Sequence, residues 1–211
     1  MHALIVVDIQ NDFMPGGALA VPDGDATIAV ANAVMPGFDV VVATQDWHPA
    51  GHHSFAAFHP GRQIGEVIEV GGVPQVLWPV HCVEGSRGAE FAAGLDVGRF
   101  TRVFKKGMDP AVDSYSGFFD NGRRHATGLG DWLRARQVTD VSVLGVATDY
   151  CVKFTALDAA DLGFRTRLIV DGCRAVELAP GDAARAVAEM RAAGISVVDS
   201  AAVLAAIGAA R

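Results

Sequence analysis

Cysteine is scarce. The 211 residues carry only Cys82, Cys151 and Cys173, too few and too scattered for a disulfide framework, so at least one free thiol in a reducing compartment is expected. Basic residues are outnumbered, 17 Lys and Arg against 24 Asp and Glu, for a formal charge of −7. Neutralising a phosphate backbone takes clustered cations, which excludes nucleic acid as a partner. No apolar run reaches membrane-spanning length, and the N-terminal HALIVVDI runs into Asp8 with no basic region or cleavage site. The expectation is a cytoplasmic protein with no membrane partner. No G-x-G-x-x-G follows a candidate strand, so dinucleotide binding has no motif support. Linkers, low-complexity runs and internal repeats are also missing, and residues 1–211 read as a single domain.

What is present is alternation. ALIVVDI (3–9), DVVVATQD (39–46), DVSVLGVA (140–147) and TRLIVDG (166–172) are apolar runs rich in Val, Ile and Leu, with weaker runs at 99–107 and 195–199. Continuous apolar content suits strands covered on both faces. Ala-rich helical segments fall between them at 26–34, 130–138, 153–163 and 182–194, with Gly163 and Gly194 where helix C-caps belong. This pattern predicts an α/β fold: a doubly wound, mostly parallel sheet of about six strands with helices on both faces. The stretch from Trp47 to Phe91 is too long for a simple connection and reads as a functional excursion.

Such sheets bind ligands beyond the carboxyl ends of their strands. Asp8 ends the first run, Asp46 the second, Lys106 the weaker third, and Cys151 opens the helical stretch after the fourth, so all four should meet on one rim. A cysteine in the first turn of a helix is expected to have a lowered pKa, and the free N–H groups there could hold an oxyanion. Asp8, after an apolar run, would be partly desolvated and suited to proton transfer. Cys, Asp and Lys together make a nucleophile, a base and a cation between them. Asp46 and His48 in DWH, with His81 in WPVHC, form a second set, and one of His52 and His53 could complete it while the other faces solvent. Carboxylate with imidazole suits Zn²⁺, with Fe²⁺ or Mn²⁺ as alternatives. His2, His59 and His125 read as ordinary surface or structural histidines, and Cys82 and Cys173 as structural thiols.

The stretches VVDIQNDFMPGGALAV, TQDWHPAGHHSF, WPVHCVEGSRGAEF, KKGMDPAVDSYSGFFDN and GVATDYCVKFTALDA, in this order, resemble the nicotinamidases (pyrazinamidases) among the isochorismatase-like cysteine hydrolases. The resemblance covers nearly the whole chain. It implies that Asp8, Lys106 and Cys151 are a catalytic triad and that the Ala147 and Cys151 amides form an oxyanion hole. It further implies that Asp46, His48 and His81 hold one divalent metal ion, with His52 as a ligand in some members, and that Phe13, Leu19, Trp78, Tyr115 and Val146 border the pyridine pocket. A cis bond between Val146 and Ala147 is expected with it. Isochorismatases proper lack the cysteine, and Cys151 speaks against that branch. The implied activity is hydrolysis of nicotinamide, and of pyrazinamide, through a Cys thioester in NAD salvage. Alternatives are an amidohydrolase acting on a carbamoyl or ureido substrate, a metal-water amidase, and a metal-binding or redox-sensing protein without catalysis. A homo-oligomer is compatible with all of these.

Overall fold

The computed structural model describes residues 1–209, with side-chain surroundings up to residue 206. Six strands form one parallel sheet: β1 (His2–Val7), β2 (Val40–Asp46), β5 (Arg102–Lys106), β6 (Asp140–Val146), β7 (Arg165–Arg174) and β8 (Ser196–Val198), in the order β5-β2-β1-β6-β7-β8. Every residue of β2 is buried, as is every residue of β1 after His2. That is the consequence of apolar runs with no polar alternation. A two-stranded antiparallel hairpin, β3 (Val67–Val70) with β4 (Val73–Val76), stands apart inside the 47–91 excursion.

The helices are α1 (Ala26–Val34), α2 (Leu129–Ala135), α3 (Lys153–Asp161), α4 (Asp182–Ala192) and α5 (Ser200–Ala209). α1 and α5 pack together against β7, and α3 and α4 pack together on the β6 to β8 side of the sheet. The chain moves one way from β1 to β2 and the other way from β6 to β7, so right-handed crossovers put their helices on opposite faces. Gly163 and Gly194 follow α3 and α4 in left-handed conformations, as C-cap glycines should. α2 stops at Ala135, short of 138, because Gln137 turns to φ +59°. Among the described residues no helix is long and apolar enough to cross a membrane.

Strand order reverses between β1 and β6, which opens a crevice at their carboxyl ends. Gly145, near the end of β6, has φ +128°, and a Cβ there would sit 2.1 Å from the Val7 carbonyl oxygen. Only glycine lets β6 pass this close to β1, just below the crevice.

Candidate active site

Asp8 leaves β1 at φ +50°, a left-handed conformation that Asp enters more readily than most residues. Lys106 is the last residue of β5 and Asp46 the last of β2. Cys151 lies in a π-helical turn, residues 148–152, between β6 and α3. All four are buried. Lys106 Nζ donates to Asp46 Oδ1 at 2.6 Å, to the Ser114 carbonyl at 2.9 Å and to Cys151 Sγ at 3.3 Å. Those three bonds use its three protons. Asp8 Oδ2 lies 2.9 Å from the same nitrogen as an ionic contact and accepts no hydrogen bond, whereas Asp8 Oδ1 accepts the Thr44 hydroxyl at 2.6 Å. One carboxylate oxygen is anchored by Thr44 and the other is ion-paired with Lys106, with an oxygen of this carboxylate within 4.8 Å of Cys151 Sγ.

Burial raises the Asp8 carboxyl against the pull of Lys106, to about 6. Burial would also raise Asp46, but Lys106 and His48 outweigh it and hold Asp46 well below the usual carboxylate range. Lys106, which burial alone would lower, is kept firmly charged by the Asp46 and Asp8 carboxylates. The lowered thiol pKa expected for Cys151 is reversed: burial drives it well above the ordinary value, and the nearby carboxylates add to this against Lys106. The thiol is therefore held protonated at neutral pH.

The second set lies beside the first. Donor atoms of Asp46, His48 and His81 fall within 4.8 Å of one another. His48 Nδ1 bonds the Gly107 carbonyl at 2.9 Å and His81 Nδ1 the Pro79 carbonyl at 2.8 Å. A carbonyl partner fixes the proton on Nδ1, so both Nε2 lone pairs are presented, 3.7 Å and 4.0 Å from Asp46 Oδ2. Burial and neighbouring His48 push His81 down to about 4, keeping it neutral. Burial opposes charge on His48, yet the Asp46 carboxylate outweighs it and raises that imidazole. Two lone pairs around a carboxylate that draws positive charge are a donor set for a divalent cation.

His52 is buried and His53 is exposed. His52 groups with His48 and Asp113, and its Nε2 is buried without a partner. Its Nδ1 accepts the Ser54 N–H at 3.2 Å, the opposite polarity to His48 and His81. The two loops carrying the histidines are sewn together, His48 N–H to the Cys82 carbonyl at 3.0 Å and Glu84 N–H to the His48 carbonyl at 2.8 Å. Gln10 holds the end of β2 from below, its side-chain amide bonding both the Asp46 carbonyl and the Asp46 N–H at 2.8 Å.

Between the two sets opens a cavity. Phe13, Leu19, Trp78 and Tyr115 line it, together with Ala147, Cys151, Asp46, His48 and His81. Val146, expected at its border, is fully buried at the end of β6 and does not line it; Ala147 takes that place. The Val146–Ala147 peptide is cis. Asp113, Tyr150 and Val176 also line the cavity, and none of them was picked out by sequence reasoning. Tyr150, adjacent to Cys151, was the most accessible of the three; Val176 had no signal at all.

Residues 2–202 match the isochorismatase domain family. The chain belongs to this family. Within it, the chain is 51% identical over 200 residues to the nicotinamidase of Escherichia coli, covering 93% of each protein. An Acinetobacter baumannii nicotinamidase and pyrazinamidase of known structure superposes with a TM-score of 0.92 at 44% identity, over 95% of this chain and 96% of that one. The pyrazinamidase of Pyrococcus horikoshii, solved in complex with zinc, is 39% identical and covers 94% of this chain and 98% of its own, with a TM-score of 0.75.

Proposed function

We infer that this chain is a nicotinamidase, hydrolysing nicotinamide to nicotinate and ammonia, with pyrazinamide as a further substrate, and that Asp8, Lys106 and Cys151 carry the reaction. The observation that carries the mechanism is the single ammonium of Lys106 set among Asp8, Asp46 and Cys151. As Cys151 Sγ attacks the carboxamide carbon, Asp8 Oδ2 takes the thiol proton; with a pKa near 6 it is ionised at neutral pH yet basic enough to do so. Lys106 balances the negative charge that passes between sulfur and carboxylate. The backbone N–H groups of Ala147 and Cys151 receive the tetrahedral oxyanion. Asp8 then returns the proton to the amide nitrogen, the C–N bond breaks and ammonia leaves. Water gives a proton to Asp8 and attacks the thioester, and the C–S bond breaks to yield nicotinate and the thiol.

Asp46, His48 and His81 fit one divalent ion, and zinc is the reading their donor types favour. His52 would join them directly only as its other tautomer. Bound there, the ion supplies a Lewis-acid contact for the pyridine nitrogen and so orients the ring. Phe13, Trp78 and Tyr115 enclose the substrate and keep bulk water from the thioester.

The test is ammonia release from nicotinamide and from benzamide, which has the same shape and carboxamide but no ring nitrogen. Orientation is worth orders of magnitude, so nicotinamide should be turned over at least a hundredfold faster, roughly, in kcat/KM. Equal rates would remove the pyridine-anchoring role from Asp46, His48 and His81.

A further inference from the structure

Asp149, two residues before the nucleophile, takes no part in the chemistry above. It is 5% exposed, and its carboxylate accepts two successive backbone N–H groups, Val176 on Oδ1 at 3.1 Å and Glu177 on Oδ2 at 2.8 Å. Both donors lie in the irregular stretch between β7 and α4. Val176 lines the active-site cavity from that stretch. The same stretch borders an open cavity of about 590 Å³ through Ala175 and Glu177. Val176 packs half-buried against the core, while Glu177 is exposed. Glu177 also adopts φ +52°, a conformation that non-glycine residues avoid unless something holds them there. The paired bonds to Asp149 are what holds it.

We propose that Val176, latched by Asp149, is a specificity-determining wall that restricts the site to carboxamides with an unsubstituted outer ring edge. The proposal rests on the nicotinamidase reading. In that reading the ring nitrogen is directed to Asp46, His48 and His81, and the carboxamide to Cys151 and Ala147. The proposal gives the ring edge tied to neither anchor, centred on carbon 5, to Leu19, Tyr150 and Val176 of the cavity lining. Of these three, Val176 sits on a segment whose position depends on a side-chain latch. Asp149 acts through the Val176 backbone and is a positioning residue.

The experiment measures kcat and KM for nicotinamide and 5-methylnicotinamide in wild type, Val176→Ala and Asp149→Asn. Removing two methyl groups from an apolar wall changes discrimination by roughly tenfold or more. Val176→Ala should therefore lower the nicotinamide to 5-methylnicotinamide ratio of kcat/KM by about that factor. Asp149→Asn replaces one acceptor oxygen with a donor facing an N–H, so the latch loses a bond and the ratio should fall in the same direction, mainly through KM. A merely structural role for Asp149 would lower kcat for both substrates together and leave the ratio where it was. An unchanged ratio in Val176→Ala overturns the wall, and an unchanged ratio in Asp149→Asn overturns the latch. Should Asp149→Asn fail to fold, amide hydrogen exchange on the wild type decides: Val176 and Glu177 amides as protected as those of α3 support the latch, and free exchange overturns it. Wild type that releases no ammonia from nicotinamide would instead overturn the nicotinamidase reading itself.

Discussion

In the proposed mechanism Asp8 has to be ionised to accept the thiol proton, and burial raises its carboxyl to about 6. The free-enzyme pH profile follows with a definite sign. Below pH 6 the carboxyl is protonated and cannot act, so kcat/KM should fall tenfold per pH unit there and level off above it. In Asp8→Asn that limb should disappear along with most of the activity, since an amide cannot take the proton; a profile flat through pH 6 in wild type would remove Asp8 as the base. That Asp8, Lys106 and Cys151 share one rim was legible because Asp8 and Lys106 are polar exceptions at the ends of apolar runs and Cys151 follows the end of another. Their electrostatics were not. Placing Cys151 in the first turn after a strand suggested an activated thiolate, but its depth and the two carboxylates around it reverse that direction. Burial depth is a property of the assembled sheet, and single-run patterns do not carry it.

β5 and the loop after it carry both Lys106 and the support for His48. Gly107, with φ +65°, offers its carbonyl to His48 Nδ1, and a Cβ in its place would lie 2.4 Å from His48 Cε1. Gly107→Ala should therefore push the imidazole aside while the sheet below stays intact. Losing the hydrogen bond that orients a metal-ligating histidine typically costs 10- to 100-fold in metal affinity or activity. The expected outcome is a loss of that size in metal retention on dialysis, measured by elemental analysis, with Tm lowered by only a few degrees, about 1 kcal/mol for a left-handed alanine. Full metal retention would mean that His48 does not need this glycine. The helices α1, α3 and α4 were readable from Ala-rich runs, α3 and α4 also from their trailing glycines, Gly163 and Gly194. The β3–β4 hairpin was not: its strands are four residues each, half exposed, and one contains Pro74. α5 was missed because SAAVLAAIGA has no polar face to mark a helical period.

The sheet has β1 at its centre and β8 at its edge, with Asp8, Asp46, Lys106 and Cys151 following strand carboxyl ends on one rim. Alternation predicted a parallel doubly wound sheet but could not give the strand order, since order is set by which crossovers bury the most surface together. The reversal between β1 and β6 brings Asp8 beside Cys151 across 142 intervening residues, which is why the site depends on the whole fold. We propose that the chain is one domain. Urea unfolding of a Trp132→Phe variant followed by far-ultraviolet circular dichroism and by tryptophan fluorescence should then give coincident transitions, because the remaining Trp47 and Trp78 report the 47–91 excursion while dichroism reports the helices. Separated midpoints would divide the excursion from the sheet.

In the proposed mechanism the sulfur of Cys151, and not water, attacks the amide. Ammonia release from nicotinamide by Cys151→Ala, on protein shown to be folded and to retain its metal content, separates the two. With sulfur as the nucleophile, kcat should drop by at least about a thousandfold, as expected when a covalent nucleophile is deleted. Hydrolysis at a rate near that of the wild type would instead assign the attack to water.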